Sequence, residues 1–379
     1  LICARMGAPR WIALGAAALF LGLVTSWLPV YIGINDPHWP GLAFMLLGAW
    51  LALGRRTWGL VLGALACCIG GFIKHSLLPI PVSLGAYLLL VDRRAFAVFA
   101  ATLGGLVAMG LAWCTYAWGD DFWNGIAPDR EQHLWRARLH VQRNLAFYLA
   151  TLLAGAAMLR LALADRRMAW PLLYLGVALA LGVSAQVVAD AAPNHLYDVL
   201  AALSVAAALA VSALSGPMVR ANWPAAAMMA ALATILVFNV AHGLPAARAY
   251  LETREARNDD ARRAIEAIAS IDGAVACEDA ILCIHAGKLS ALEFYGVGQY
   301  LAVGSLDAET LLGSLERHGV EAVQYFKDPG RPSRLPADTV EALLGMYPEQ
   351  VMAGEHYSVY ERPANAPRSA AGGVRQITP

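Results

Sequence analysis

The sequence predicts a mainly α-helical, polytopic transmembrane bundle of about nine spans, followed by a small C-terminal α/β domain. Of the 379 residues, 59% are apolar and only 15% are charged, and the mean hydropathy is +0.52. A soluble domain carries about 25% charged residues. This composition excludes a nucleic-acid binder, a disordered chain and a small module stapled by disulfides.

The charges divide the chain into two parts although the net charge is zero. Residues 1–246 hold 15 basic and 9 acidic side chains, whereas residues 247–379 hold 13 basic and 19 acidic ones. We therefore expect a transmembrane domain over 1–246 and a soluble domain over 247–363. The Ala-, Pro-, Gly- and Ser-rich residues 364–379 are expected to form a disordered tail.

The apolar spans have the lengths that membrane helices need, which is about 20 residues. Three of them are short enough to be re-entrant or broken helices, so the number nine is good to about one. The first span is too long for a signal peptide, and no small-residue cleavage site follows it. The nine spans are residues 11–33, 39–54, 57–73, 76–91, 95–118, 144–164, 169–190, 197–215 and 222–245.

Arginine occurs in every second loop between these spans. Because cytoplasmic loops are enriched in arginine and lysine, these loops and the N-terminus are expected inside the cell. An odd number of spans then places the C-terminal domain outside, in the periplasm. The arginines are Arg5, Arg10, Arg55, Arg56, Arg93, Arg94, Arg160, Arg166, Arg167 and Arg220.

The C-terminal domain shows alternating helix and strand patterns. We expect helices over 261–270, from Asp307 as N-cap to about Leu315, and over 338–346. Strands are expected over 275–277, 281–284, 320–326 and 356–361. Cys277 and Cys283 would then face each other across a hairpin, either as a disulfide, which an oxidising periplasm permits, or as two buried thiols.

Polar side chains gather on the loops predicted to lie outside, and all nine histidines fall on the predicted outer side or in the outer domain. This favours a reaction at the outer membrane surface, because polar groups near a membrane are costly. The alternative is that outer loops are polar simply because they meet water. The candidate residues are Asp36, His38, Lys74, His75, Asp120, Asp121, Asn194, His195 and Asp198.

The third outer loop, residues 119–143, carries arginines in spite of its position outside. Arg136, Arg138 and Arg143 are suited to bind phosphate, and Trp135 to sit at headgroup depth, as on an interfacial helix. Alternatively, Asp129 and Glu131 on the same loop neutralise the arginines.

Two of the polar groups suggest a metal site, and one suggests an anion site. Asp36 with His38, and Asn194, His195 and Asp198, have ligand types suited to Mg²⁺, Mn²⁺ or Zn²⁺, but no compact metal motif. A turn or helix cap is the alternative for Asp36. Lys74 either contacts phosphate or snorkels to the interface. The pairs Gly70–Gly71 and Gly104–Gly105 are expected at helix-packing surfaces.

The order and spacing of these segments resemble bacterial membrane glycosyltransferases of the GT-C class. The similar group is the family 39-like one, which includes protein mannosyltransferases and lipid A aminoarabinose transferases. The resemblance runs over nearly the whole chain, on segments that are each of low specificity. They are Asn35-Asp36-Pro37-His38-Trp39, Phe72-Ile73-Lys74-His75-Ser76, Trp118-Gly119-Asp120-Asp121-Phe122-Trp123 and Pro193-Asn194-His195-Leu196-Tyr197-Asp198.

This resemblance implies a multi-pass enzyme of the bacterial inner membrane. It would move a sugar from a polyprenyl-phosphate donor to a lipid, glycan or protein acceptor at the periplasmic face. In that family the principal acidic residue lies on the first outer loop, which is expected to precede Leu1, so that the chain is expected to be N-terminally truncated and to lack this acid.

The resemblance also suggests roles for the candidate residues. Inverting transfer needs a carboxylate base and cations that stabilise the departing phosphate. The expected catalytic residues are Asp36, Asp120, Asp121 and Asp198. The expected donor-phosphate ligands are Lys74, Arg136, Arg138 and Arg143, and His38, Asn194 and His195 would bind the acceptor or support the site. Mg²⁺ or Mn²⁺ is the cofactor that the ligand types would accept.

Two other functions fit the same sequence. One is a transporter or lipid flippase with an outer soluble domain, although such proteins usually have repeated halves and ionisable groups near the membrane midplane. The other is an assembly protein whose outer domain binds partners. Release of free polyprenyl phosphate distinguishes the enzyme from both.

Overall fold

The computed structural model describes residues 1–28, 36–126, 132–188, 193–214, 223–326 and 334–363. The chain divides into two compact units. The first comprises Leu1–Gly119 with Gln132–Leu244, and the second Asp120–Glu131 with Pro245–Pro379. The predicted tail over 364–379 lies outside the described residues.

Helices make up most of the described chain. The helices before the soluble domain are α1 Ile2–Arg5, α2 Arg10–Trp27, α3 His38–Ala52, α4 Thr57–Ile73, α5 Pro79–Val91, α6 Arg93–Trp118, α7 Asp120–Ile126, α8 Leu134–Arg143, α9 Leu145–Ala164, α10 Ala169–Ala185 and α11 Tyr197–Leu214. Short 3-10 helices, Arg166–Met168 and Pro193–Leu196, precede α10 and α11. Helix α12, Trp223–Ser270, runs from the first unit into the second.

Within the described residues, five helices are long and apolar enough to cross a membrane. They are Arg10–Trp27, Arg93–Trp118, Leu145–Ala164, Arg166–Ala185 and Asn194–Ala213. The predicted spans over 39–54, 57–73 and 76–91 correspond to the shorter helices α3, α4 and α5, of 15, 17 and 13 residues. The fold is thus mainly helical with several helices of membrane length, and the count of nine spans stays a prediction.

Helix α11 forms the centre of the first unit, and α6 lies at its outside. The apolar stretch of α11 is 83% buried, whereas that of α6 is only 11% buried. Helix α6 exposes large apolar side chains, among them Met109, Trp113 and Tyr116. Exposed apolar area on this scale is unusual in a soluble monomer and is typical of a surface that meets lipid or a partner.

Helices α3 and α4 pack with their backbones in contact. A Cβ added at Gly63 would lie 2.8 Å from the Gly48 carbonyl oxygen, and one at Gly70 would lie 2.8 Å from that of Gly41. Small residues allow this close approach of helices. The prediction of a packing surface is therefore confirmed at Gly70, but a Cβ at Gly104 or Gly105 would meet nothing within 4 Å among the described atoms.

The end of the bundle that carries the loop arginines uses its acidic groups as helix caps. Asp92 accepts hydrogen bonds from the backbone N–H groups of Arg94 and Ala95 at the start of α6. Asp165 accepts one from Arg167 in the same way. The guanidinium of Arg5 donates to the Trp50 carbonyl and lies 4.4 Å from the Trp50 ring centroid. These side chains therefore satisfy backbone groups at the ends of helices.

The second unit contains a four-stranded sheet with helices on both faces. The strand order is β1-β2-β4-β3, with β1 parallel to β2 and the other pairs antiparallel. Side chains of successive strand residues point to opposite faces, so one face packs on α12 and α13 and the other on α14, α15 and α16. These elements are β1 Ala274–Cys277, α13 Ala280–His285, α14 Phe294–Ala302, α15 Ala308–Arg317, β2 Val320–Phe326, α16 Ala337–Met346, β3 Glu349–Ala353 and β4 Tyr357–Glu361.

Most of the predicted elements of this unit are confirmed, and one is wrong. Residues 281–284 form helix α13 instead of a strand, because the Asp279 carboxylate accepts a hydrogen bond from the Ile281 N–H and starts a helix there. Asp307 caps α15 as predicted, by accepting from the Thr310 N–H. Helix α14 and strand β3 were not predicted.

Cys277 and Cys283 form a disulfide. Of the two alternatives that the sequence left open, the structure therefore has the bonded one, but the bond joins the end of β1 to α13 and not two strands of a hairpin. The other described cysteines, Cys3, Cys67, Cys68 and Cys114, are free and buried.

The end of α12 is fixed to the sheet by one buried acid. The Asp260 carboxylate is 2% exposed and accepts hydrogen bonds from the N–H groups of His356 and Tyr357, between β3 and β4. A Cβ at Gly354 would collide with the Asp260 side chain. Asp260 thus ties the helix to the turn of the β3–β4 hairpin.

Candidate functional site

A buried carboxylate, that of Asp36, lies immediately before α3 in the first unit. It is 6% exposed and uses both oxygens. Its Oδ1 accepts from the backbone N–H of His38 and lies 2.9 Å from His38 Nδ1, while its Oδ2 accepts from Asn194 Nδ2 at 3.0 Å. Asp36 thereby links the start of α3 to the short helix before α11.

The hydrogen bonds determine the charge state of Asp36. Burial alone raises the pKa of this carboxyl, but the hydrogen bonds from Asn194 and His38 outweigh burial, and the pKa lies below its ordinary value. The start of α3 is also the positive end of that helix dipole, which favours a negative charge. We conclude that Asp36 is ionised at neutral pH.

His38 is held as a neutral ring with a defined tautomer. Burial lowers its pKa, and the positive charges of Lys74 and His75 lower it further, against the raising effect of Asp36. Because an ionised carboxylate can only accept, the proton between the two residues is on Nδ1 of His38. The lone pair of the neutral ring is then on Nε2.

Aromatic rings surround His38 on the α11 side. The His195 ring meets it edge to face at a centroid distance of 5.9 Å, and the Tyr197 ring lies at 5.6 Å. Trp39 is next to Tyr197, at 5.2 Å. The predicted residues Asp36, His38, Asn194 and His195 are therefore brought together in one cluster.

Lys74 and His75 reach this cluster through the packing of α3 on α4. Lys74 follows the last residue of α4, and its charge and that of His75 act on His38. The contact of Gly41 with Gly70 places the start of α3 beside the end of α4. An amine, two imidazoles and a carboxylate from distant parts of the sequence thus share one end of the bundle.

A second buried polar pair joins α10 to α11. Tyr174 OH donates to Asp198 Oδ1 at 3.0 Å, and Asp198 is 4% exposed. The Trp170 ring stacks on Tyr174 at 5.4 Å. Asp198 was a candidate from sequence, but Tyr174 was not, because a tyrosine within an apolar span carries no local signal of a partner on the next helix.

The arginines of the third loop lie on a surface helix, as predicted. Helix α8 has no buried residue, and Arg138 and Arg143 are exposed on it. The Arg136 guanidinium lies 5.7 Å from the Trp135 ring centroid, and Trp135 is 60% exposed. The neutralising partners considered for these arginines, Asp129 and Glu131, lie outside the described residues.

The remaining two candidates belong to the second unit. Asp120 and Asp121 begin α7, which is separate from the cluster around Asp36 in this division of the chain. Asp120 is exposed, and the side chain of Asp121 lies outside the described residues. These two aspartates are therefore not part of the described cluster.

The carboxylate and imidazole of the cluster bond to each other. In the described part of the chain, no three His, Cys, Asp or Glu side chains are grouped so that they could hold a metal ion. Asp36 and His38 thus form a hydrogen-bonded pair. The described residues therefore offer no set of ligands for the Mg²⁺ or Mn²⁺ ion that the sequence suggested.

Comparisons with protein-family models, with curated proteins and with solved structures found no significant match to this chain.

Proposed function

We propose that the protein is a membrane glycosyltransferase that moves a sugar from a polyprenyl-phosphate donor to an acceptor at the periplasmic face of the bacterial inner membrane. The observation that carries the proposal is the cluster of Asp36, His38, Asn194 and Lys74 at one end of a bundle of apolar helices. Ionisable groups in such a position are costly and are typical of functional sites.

The chemistry of the cluster suits glycosyl transfer. In this reaction the bond from the anomeric carbon to phosphate oxygen breaks, and a bond from the same carbon to an acceptor oxygen forms. Polyprenyl phosphate leaves with the electron pair, and the acceptor proton moves to a base. Lys74 supplies a positive charge for the departing phosphate, and a carboxylate such as Asp198 is the type of group that takes the proton.

The surface helix α8 supports a lipid-linked donor. Its exposed Trp135 suits the headgroup region, and Arg138 and Arg143 suit the binding of phosphate. We therefore assign Arg136, Arg138 and Arg143 to the approach of the donor from the membrane. This assignment keeps the nine-span arrangement, in which α8 and the cluster lie on the outer side.

The disulfide supports the placement of the second unit outside the cytoplasm. Structural disulfides persist in oxidising compartments and are rare in the cytosol, and Cys277 is bonded to Cys283. The distribution of arginines among the loops favours the same orientation. Both observations support the proposal that the candidate cluster and the soluble unit are periplasmic.

The test of this function is the release of free polyprenyl phosphate. The full chain, reconstituted in lipid nanodiscs, is incubated with radiolabelled polyprenyl-phosphate hexoses and with membrane extract as the source of acceptor. The proposal expects release of polyprenyl phosphate that depends on the extract, and transfer of the label to a new product. No release with any hexose, together with no binding of any polyprenyl-phosphate hexose, would contradict it.

A transporter or lipid flippase is the second candidate, and the buried Asp198–Tyr174 pair is the observation that favours it. Carboxylates buried between helices often serve transport pathways, and Asp198 bonds to the neighbouring helix α10. In proteoliposomes this function predicts that a lipid-linked sugar changes leaflet while its phosphate bond stays intact.

A further inference from the structure

The Asn194 side chain has one half of its amide bonded and the other half buried without a partner. Nδ2 donates to Asp36, while Oδ1 is buried and makes no hydrogen bond to any described atom. The residue is only 8% exposed. A buried carbonyl left in this state is unfavourable, and a ligand that donates a hydrogen bond to it removes the penalty.

The orientation of this amide is determined by Asp36. An amide turned by 180° would place Oδ1 against the carboxylate, where two acceptors repel each other. The carbonyl of Asn194 must therefore point away from Asp36. In the same way, the bond from His38 Nδ1 to Asp36 leaves Nε2 as the acceptor of that ring. One carboxylate thus orients two neutral acceptors.

The surrounding charges define which ligand groups suit these acceptors. Lys74 and His75 act on His38 with positive charge, so an ammonium or guanidinium ligand would be repelled. A hydroxyl group donates a hydrogen bond without carrying charge. The half-buried ring of Trp39 lies beside Tyr197 at the cluster, and aromatic side chains are typical of the lining of ligand sites.

We infer that Oδ1 of Asn194 and Nε2 of His38 accept hydrogen bonds from hydroxyl groups of the sugar on the lipid-linked donor, and that Asp36 is the residue that positions both. This inference rests on the proposed function and adds the recognition of the sugar itself. It makes Asn194 a specificity-determining residue and makes Asp36 a positioning residue.

The test measures binding to the full chain in nanodiscs. The probes are polyprenyl-phosphate glucose, mannose and galactose, the monodeoxy analogues of the hexose that binds most tightly, and polyprenyl phosphate alone. Asn194→Leu and Asn194→Ser should each weaken binding of that hexose about 10-fold, the effect of one lost hydrogen bond. Both variants should bind polyprenyl phosphate alone as the unmodified protein does.

The deoxy analogues identify the sugar hydroxyl group that donates a hydrogen bond to Asn194. One analogue should bind the unmodified protein about 10-fold more weakly than the intact hexose, and Asn194→Leu should cause no further loss with that analogue. Ser204→Ala is the matched control, because Ser204 is a buried polar residue of α11 whose hydrogen bond among the described residues goes to its own helix, at the Leu200 carbonyl. It should leave all affinities unchanged.

The positioning role of Asp36 has a separate readout. In ¹⁵N spectra of histidine-labelled protein, the His38 signal, assigned by its loss in His38→Gln, should report a single tautomer protonated at Nδ1. Asp36→Asn should abolish that single tautomer. An unchanged tautomer would show that Asp36 does not orient the ring.

The outcomes separate this inference from the proposed function. If both Asn194 variants bind every hexose as tightly as the unmodified protein, the inference is wrong, while release of polyprenyl phosphate still supports a glycosyltransferase. The proposed function and the inference both fail if two results occur together. The unmodified protein then binds no polyprenyl-phosphate hexose more tightly than polyprenyl phosphate alone, and it releases no polyprenyl phosphate.

Discussion

Asn194 donates a hydrogen bond to Asp36 across 3.0 Å, although 158 positions separate the two residues in the sequence. The bond connects the segment before α3 to the segment before α11, which is the most buried helix of the first unit. The bond therefore joins the two segments that carry the candidate site.

The Asp36–His38 pair should make the stability of the first unit fall in acid. The pKa of His38 is lower in the folded state than its ordinary value of 6.5, so its contribution is complete above about pH 6.5 and is lost as the pH falls through the folded pKa. The lowered pKa of Asp36 acts in the same direction at lower pH. Thermal unfolding in detergent between pH 8 and pH 5 measures the effect.

The matched variants for this pH dependence are His38→Gln and His285→Gln. The first removes the titrating ring and should flatten the decline between about pH 7 and pH 5. The second removes an exposed histidine of the other unit and should leave the profile as it is. The charged and titratable groups that face His38 are Asp36, Lys74, His75 and His195. A decline that is the same in all three proteins would show that the His38 ring does not cause it.

Replacement of Lys74 by methionine keeps the length of the side chain and removes its charge. If the ammonium group contacts the donor phosphate, the affinity for polyprenyl-phosphate hexose should fall about 10- to 100-fold, as expected for a charge-assisted hydrogen bond of about 1.5–3 kcal/mol. Arg56→Met, at the opposite end of α4, is the control. Unchanged donor affinity in the Lys74 variant would make Lys74 an interfacial anchor.

Gly63→Ala should destabilise the first unit. The added Cβ would lie 2.8 Å from the Gly48 carbonyl oxygen, so the helices must separate, at a cost of about 1–3 kcal/mol. Gly104→Ala, where nothing described lies within 4 Å, is the control and should be neutral or slightly stabilising, because alanine favours a helix. Thermal unfolding in one detergent compares the two, and equal stabilities would argue against backbone contact of α3 with α4.

Loss of the Cys277–Cys283 bond should destabilise the second unit by about 2 kcal/mol, the value for a short closed loop. The double variant Cys277→Ala/Cys283→Ala should show this loss in urea unfolding of the full chain, followed by hydrogen exchange of the sheet residues. Dithiothreitol should reduce the stability of the unmodified protein and leave the double variant unaffected. If the reductant acts equally on both proteins, another group is responsible.

The orientation in the membrane is tested by labelling of single cysteines. Ser305→Cys, on an exposed turn of the second unit, should react with an impermeant maleimide in spheroplasts, and Arg56→Cys, on a predicted cytoplasmic loop, should not. The background is low, because the described free cysteines are buried. The reverse pattern of labelling would place the cluster on the cytoplasmic side and remove the case for chemistry outside.

The sequence predicted elements whose signals are local. The Asp307 cap and the strand at Val320–Phe326 could be read from neighbouring residues. The apolar run at 281–284 was read as a strand because periodicity does not separate short apolar helices from strands, and the cap from Asp279 decides in favour of a helix. The presence of long apolar helices was also predictable, because their apolar composition alone distinguishes them from the rest of the sequence.

The candidate site was predictable as a set of residues but not as an arrangement. The sequence placed Asp36, His38, Lys74 and Asn194 on loops at one side of the membrane, through the alternation of arginine among the loops. Which of them touch depends on tertiary packing over long separations, which no local pattern contains. Asp36, for example, was expected to be a catalytic residue, but the hydrogen bonds that both of its oxygens accept could not be predicted from the sequence.

The glycine contacts between α3 and α4 have a consequence for motion. Glycines at the contacts of Gly41 with Gly70 and of Gly48 with Gly63 let the two backbones approach closely. The two helices must therefore shift as a single body, carrying Asp36 and His38 at one end together with Lys74. The Asn194 bond to Asp36 connects this body to the segment before α11, so the two acceptors keep their orientation as long as that bond is intact.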